Sequence, residues 1–273
     1  MINQTFDFKR FCTYFKYDIK QMWRNHSVAA ILIGASGLIA YVAWVLLSLV
    51  FNQTWVSPTL PVRIVVFLIA FTILEFYQTR TYGYLTEKQA GSSFLMLPAS
   101  TTEKFVSMLI MTTLIIPFLF IVVFFAIDSL LVLLDPTMDS ALITGLGSGL
   151  NSIFETLGEN GSSPIIIVPG AFVVSCIMSI FCNFLYFLLC GICFRKNKVG
   201  KGIAIIVGIS FLSSLIMGFF APSIAENMEM WNPGPDELVA YANRFYYIMM
   251  GVTLLIIFGL GWGVYRRIKT LKH

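Results

Sequence analysis

Charged residues are spaced along this chain so that long gaps open between them. Residues 28–51 form a run of 24 without a charge, 105–127 a run of 23, 164–194 a run of 31 and 245–265 a run of 21. Residues 202–225 hold no charge either, and Pro222 is the expected stop within them. A helix needs about 20 apolar residues to cross a hydrocarbon core about 30 Å thick. Each run therefore predicts a span. The run 164–194 is too long for one straight span and too short for two. It is either tilted, or its start around Pro164 and Pro169 lies outside the helix. A sixth segment, 60–78, is weaker, because its uncharged run covers only 64–74. Arg63 and Glu75 sit near its ends, where long side chains reach the interface. The expected spans are about 28–51, 60–78, 105–127, 167–194, 202–222 and 245–265. An outer-membrane barrel would instead alternate over segments of about 10 residues, and is excluded.

Ahead of the first span, residues 6–24 read FDFKRFCTYFKYDIKQMWR. Phe8, Phe11, Phe15, Ile19 and Met22 recur at steps of three or four, the period of a helix face. Lys9, Lys16 and Lys20 are available to headgroups. The pattern predicts an amphipathic helix on the inner leaflet, serving as a membrane-surface anchor or as a lever that also touches a cytoplasmic partner. The first 24 residues are polar and aromatic, and the run after them is long enough to span, so no cleavable signal peptide is expected.

Composition agrees with this pattern. The chain is 58% hydrophobic and 12% charged, against roughly half and a quarter for soluble domains. So few polar residues cannot cover the surface of an ordinary soluble enzyme. The net charge of +4 conceals a large asymmetry. Six spans divide the connections into two sets. One set carries 16 of the 18 basic residues and four acids; the other carries Arg63, Arg244 and eight acids (Asp135, Asp139, Glu155, Glu159, Glu226, Glu229, Asp236 and Glu237). The positive-inside rule puts the basic set in the cytoplasm. A five- or seven-helix threading would break the segregation. The expected fold is thus an all-α integral membrane protein. It is a single transmembrane domain over 1–273 with six transmembrane helices, an N-terminal cytoplasmic amphipathic helix and both termini cytoplasmic.

Little conventional chemistry is visible. The two histidines, His26 and His273, leave poor material for acid–base catalysis. No nucleotide-binding loop and no hydrolase motif occurs. No enzyme activity, cofactor or metal is expected, and no nucleic acid, since topology explains the basic residues. Cys190 and Cys193 form a CxxC without a second pair, read as packing rather than metal binding. Three polar residues lie within or beside the spans: Glu75, Asp128 and Asn183. The two acids are read either as interface groups, with Arg80 as a partner for Glu75, or as a proton or substrate site. Asn183 is read as a hydrogen bond between helices. Pro117 is expected to kink its helix. Gly259 and Gly263 make a GxxxG, a weak signal for a dimer face.

The connection 79–104 is the most informative. Gly91, Ser92 and Ser93 break it, Phe94, Leu95, Met96 and Leu97 are four consecutive apolar residues outside the bilayer, and Pro98 ends the turn. Ser100 and Glu103 then make a capping box, Ser-x-x-Glu, at the start of the third span. The apolar turn either packs back on its own helices or docks a partner protein. The external loops, 135–163 and 222–243, hold no ligand cluster; Trp231 reads as an interfacial anchor.

In this stretch, SSFLMLPASTTEKF over 92–105, the chain resembles the permease subunits of type-2 ATP-binding-cassette (ABC) transporters. Leu97, Pro98, Ser100, Glu103 and Lys104 match an LPxSxxE[KR]-like pattern of that family, and the layout of spans extends the resemblance over the chain. The resemblance implies a coupling helix at about 86–100 that sits on a cytoplasmic ABC ATPase subunit. Phe94, Leu95, Met96, Leu97, Pro98, Ser100, Glu103 and Lys104 are then the coupling residues. It also implies a second permease copy or a homologous permease, a bacterial inner-membrane location among lipid, export as the direction, and a re-entrant element at 222–243. The long loop between spans three and four departs from the family pattern. The alternatives are a non-transporting membrane protein (an immunity factor, sensor or assembly scaffold) and an ion-coupled carrier using Glu75 or Asp128.

Overall fold

The computed structural model describes residues 6–52, 54–87, 91, 94, 96–138, 140–145, 147, 169–229 and 235–270. All regular structure among them is helical. Helix α1 is Phe8–Gly34, α2 Ser36–Asn52, α3 Leu60–Thr81, α4 Thr101–Leu134, α5 Pro169–Cys193, α6 Lys198–Glu229 and α7 Pro235–Thr270. A 3-10 turn, Gly83–Thr86, follows α3. Five helices have the length and hydropathy of membrane spans, and α1 joined to α2 makes a sixth. Each expected span falls on a helix. The weak 60–78 segment is a helix of 22 residues, opened by Pro61, whose missing amide proton costs nothing in a first turn.

Several boundaries differ from expectation. Residues 6–24 do not form a separate helix. Asp7 caps α1 by accepting from the amides of Lys9 and Arg10, and the helix then runs unbroken to Gly34. The break falls inside the expected first span, as a 43° bend between α1 and α2. Two close approaches to α4 flank it. A Cβ on Gly34 would sit 3.0 Å from the Val123 side chain, and one on Gly37 would sit 3.3 Å from the Phe124 ring. A Cβ at either position would need its neighbour to give by a few tenths of an ångström, so glycine suits the close approach.

Pro222 does not stop α6, which continues to Glu229. A proline removes one helical hydrogen bond, and in membrane spans the neighbouring turns tolerate the loss. Helix α7 begins at Pro235 rather than near 245. The described residues of the expected loop 222–243 are therefore helical, and 230–234 lie outside the described residues. Trp231 lies outside the described residues. So do Lys88, Ser92, Ser93, Leu95, Asp139, residues 148–168 (with Glu155 and Glu159), Lys272 and His273.

Pro117 lies within one continuous span, Thr101–Leu134, and just ahead of it comes a π turn at Met111–Ile115, closed by a bond from the Ile116 amide to the Met111 carbonyl. The wider turn disturbs the ladder, and the hydroxyls of Thr112 and Thr113 fill in by donating to the carbonyls of Met108 and Leu109. The GxxxG of α7 does not form one open face. Gly263 packs on Leu189 of α5, whereas Gly259 meets nothing within 4 Å.

The bundle has two cores. Near the middle, Phe67 of α3 meets Phe120, Phe124 and Phe125 of α4 with centroids 5.2–5.8 Å apart, and Phe184 of α5 closes the group against Phe71. A second core lies at the end where the basic segments gather: Tyr82, Leu85 and Phe94 with Leu188, Ile192, Val264 and Ile268. Gly191 permits the α3–α5 crossing there, since a Cβ would lie 2.7 Å from the Thr79 carbonyl.

The opposite end is closed by polar pairs. Arg63 Nη1 bonds both oxygens of Asp128 at 2.9 and 3.2 Å, with each side chain only 6% exposed. Arg63 Nη2 donates to the Ser140 carbonyl, and the Leu142 amide donates to Asp128. Beside them Asp135 accepts from Thr137, Tyr41 and Trp55. The bonds from Thr137 and Tyr41 outweigh burial and hold the Asp135 carboxyl at about 2.

Two outcomes are expected. Arg63→Ala lowers stability by about 3–5 kcal/mol, because it leaves a buried carboxylate alone, while Arg63→Met with Asp128→Leu loses much less; thermal unfolding in detergent micelles separates the two. Asp135, depressed from about 3.9 in the unfolded chain, stabilises fully above about pH 4, and that contribution is lost as pH falls towards 2. Asp135→Asn therefore lowers the melting temperature at pH 6 and narrows the gap to the parent protein at pH 3.

Candidate functional site at the basic end

The residues of the 79–104 connection are held by three other segments. The capping box forms as expected: Ser100 Oγ accepts from the Glu103 amide, and Glu103 Oε2 accepts from the Ser100 amide at 2.8 Å. Glu103 does more than cap. It is fully buried. Arg10 of α1 bonds it through Nε at 2.9 and 3.1 Å and through Nη2 at 2.6 Å. The Asp7 amide donates to the same carboxylate at 2.9 Å. One side chain thus joins the start of α1 to the start of α4.

About two helical turns further along α1, Asp18 is buried and accepts from the hydroxyls of Tyr82 at 2.7 Å and Ser107 at 2.5 Å. It links α1, the turn after α3, and α4. His26 Nδ1 lies 2.6 Å from the Tyr77 hydroxyl, which ties α1 directly to α3. On the other side Lys198, at the start of α6, donates to the Gly83 carbonyl and to Thr86 Oγ1. Asn197 precedes it with φ of 51°, a left-handed conformation that asparagine tolerates better than most residues. This tight corner delivers α6 to the 3-10 turn.

The proposed coupling residues separate into two groups. Phe94 is not offered to a partner; it points into the basic-end core, 2% exposed, and Lys104 lies 4.8 Å above its ring while donating to its carbonyl. Ser100, Glu103 and Lys104 are all buried, and Leu97 is half-buried against the same core. The solvent-facing positions are Met96, 84% exposed, with Pro98 and Glu87. Leu95 lies outside the described residues. Four consecutive apolar residues in a tight turn cannot all share one face, but which of them turns inward is not written in the run.

The amphipathic stripe of α1 is also split. Phe11, Tyr14 and Asp18 form the buried row, while Phe8 and Ile19 face outward beside exposed Lys9, Lys16 and Lys20. Sequence reasoning missed Asp18. Its position four residues after Tyr14 and seven after Phe11 put it on a helix face, but a charged residue is not normally assigned to one.

Of the intramembrane polar candidates, Glu75 and Asn183 come together, Asn183 Nδ2 donating to Glu75 Oε1 at 3.4 Å. Glu75 therefore pairs with Asn183 rather than with Arg80. Asp128 belongs to the separate pair with Arg63. Among the described residues no group of three or more His, Cys, Asp or Glu side chains is placed to hold a metal. Comparison of the chain with family models, with curated proteins and with solved structures returned no match.

Removing the Ser100 hydroxyl and removing the Glu103 carboxylate have different expected effects. Ser100→Ala loses one cap, typically ~1 kcal/mol. Glu103→Ala lowers the melting temperature further, because it also frees Arg10 and the Asp7 amide. Hydrogen exchange distinguishes them: amides at 8–14 speed up strongly in Glu103→Ala and little in Ser100→Ala.

Proposed function

We propose that this chain is the membrane-spanning permease half of an ABC exporter, driven by a separate cytoplasmic ATPase subunit and paired with a second permease. In this reading the basic end faces the cytoplasm of a bacterium, with both termini inside, as the positive-inside rule requires. The ATPase supplies the nucleotide chemistry, for which this chain has no motif.

The observation that carries the reading is the way the 79–104 connection is tied. Its exposed tip holds Met96 and Pro98, and its roots are clamped to α1 through Glu103–Arg10 and Tyr82–Asp18, and to α6 through Lys198. A push on the tip is therefore delivered to two further membrane helices, besides the α3 and α4 that the connection joins. Coupling needs this: a partner's closure must be converted into motion of rigid elements. A loop that only joined two spans would have no need of a fully buried carboxylate held by a third helix. The site is also rimmed by exposed Lys9, Lys16, Lys20, Arg195 and Lys196, which suits an acidic partner surface or anionic headgroups.

Met96→Asp is the direct test, because the side chain is exposed and the fold does not depend on it. The variant is expected to unfold at the parent temperature, to capture the cognate ATPase at least tenfold less in co-purification, which corresponds to about 1.4 kcal/mol, and to abolish stimulated ATP turnover. Unchanged capture and turnover would sink the coupling assignment.

A further inference from the structure

A cleft of about 310 Å³ lies between α2, α3 and α4, on the side of the bundle that carries the Arg63–Asp128 pair. Gly37, Ala40 and Ala43 line it from α2. They recur at steps of three, so they share a face, and their lack of bulk leaves the space beside α3 unfilled. Phe124 and Leu131 of α4 supply apolar walls opposite, and exposed Trp44 and Leu47 stand at the mouth.

The polar groups of the lining are nearly all committed. Tyr41 donates to Asp135. Both oxygens of Asp128 accept from Arg63, and one also from the Leu142 amide. Both terminal nitrogens of Arg63 are engaged. Arg63 Nε remains, on a side chain only 6% exposed, without an acceptor among the described residues. The cleft thus offers an apolar sleeve and two hydrogen-bond donors without an acceptor among the described residues, Arg63 Nε and the indole N–H of Trp44 at the mouth.

This inventory selects its ligand. A sugar, nucleotide or peptide backbone would bury several polar groups with nothing to pair them, at a cost of about 1–3 kcal/mol each. A cationic head would find no free acceptor. A helix from a second copy is about 10 Å wide with its side chains and does not fit in a cleft of 310 Å³. A single acyl chain does fit: it needs only apolar contact along its length and one donor for a carboxylate or ester oxygen at its head. Volumes of about 300 Å³ fall at the lower end of small-molecule pockets. We infer that the cleft binds one acyl chain of an amphiphile, whose head-group oxygen accepts from Arg63 Nε. The inference needs only that the chain spans a membrane; it does not depend on an ATPase partner.

The experiment is photolabelling of the full chain in phosphatidylethanolamine–phosphatidylglycerol vesicles. The probes are lauric acid with a terminal diazirine and phosphatidylglycerol carrying the same chain, and labelled positions are mapped by peptide mass spectrometry. At least one probe is expected to concentrate on residues 37–47 and 62–66 over the exposed face of α6; which probe does so tells a free acid from a lipid-borne chain. Ala40→Phe, which fills the cleft, is expected to cut that labelling about tenfold, or about 1.4 kcal/mol, with labelling on α6 unchanged. Ala43→Phe serves if Ala40→Phe does not fold. Excess lauric acid should compete and dodecane should not. Labelling spread over all helices in proportion to exposure means annular lipid only and overturns the proposal, as does labelling that Ala40→Phe leaves intact in a folded protein. Equal competition by dodecane overturns the role of Arg63.

Discussion

The Glu103 carboxylate is the constraint on which the basic end depends. A buried charge of this kind is stable only if paired and fully hydrogen-bonded. Glu103 meets that demand with a guanidinium from α1, an amide from the α1 cap and an amide from its own capping box. The first two come from the start of α1 and the third from the end of the 79–104 connection. Satisfying one side chain therefore fixes the entry of α1, the exit of the 79–104 connection and the first turn of α4 relative to one another. Asp18 repeats the arrangement a short way along α1 with two hydroxyl donors. With two such ties, α1 is fixed in register as well as in position.

Polar ties matter here because apolar contact alone specifies little in lipid. A leucine gains nothing from leaving hydrocarbon for another helix, so association rests on close packing and on hydrogen bonds between helices. Both are visible. Gly34, Gly37 and Gly191 bring backbones within reach of neighbours that any Cβ would crowd, and the phenylalanine cluster of α3, α4 and α5 fills the middle with rings in tilted, edge-on and stacked contact. The buried Arg63–Asp128 pair, and buried Glu103 with its partly exposed partner Arg10, then set which helices meet at each end. Such pairs are weak sources of stability but good determinants of register, since a displaced partner strands a charge in a low-dielectric setting.

That division explains what the sequence revealed. Spans were legible because the length of an apolar run and the thickness of a bilayer are directly comparable. The segregation of charge was legible because it is counted along the chain. The capping box was legible because its two residues are three apart. What failed involved partners far apart in sequence. Asp128 and Arg63 are separated by 65 residues, and Arg10 and Glu103 by 93. A local reading sees each as an isolated charge near a helix end and assigns it to the interface. The direction of Phe94 was likewise decided by Lys104 and the end of α7, which no pattern around residue 94 encodes. The bend after Gly34 was hidden for the same reason. Its small residues look like ordinary span composition until the ring of Phe124 is placed opposite.

Helix α6 shows what these ties imply for motion. Only 6% of its span is buried, and Gly208 and Gly218 meet nothing within 4 Å. Its described attachments cluster at the base. Lys198 bonds the 3-10 turn, Tyr186 of α5 donates to the Gly202 carbonyl at 2.8 Å, and Gly202 packs against Phe187 and Cys190. A helix held at its base and largely uncovered over Lys198–Ile216 behaves as a lever over that stretch, because small rotations of the base become larger displacements further along. The base of α6 is bonded to the 3-10 turn that opens the 79–104 connection. On the transport reading, the helix with the fewest restraints is thus the one attached most directly to the surface where a partner would push, while α3, α4 and α5 keep the packed rings that resist deformation. The lipid-facing or partner-facing role of the α6 surface then follows from the same fact: its apolar side chains are covered by neither of the two cores, so what covers them is free to change when the base moves.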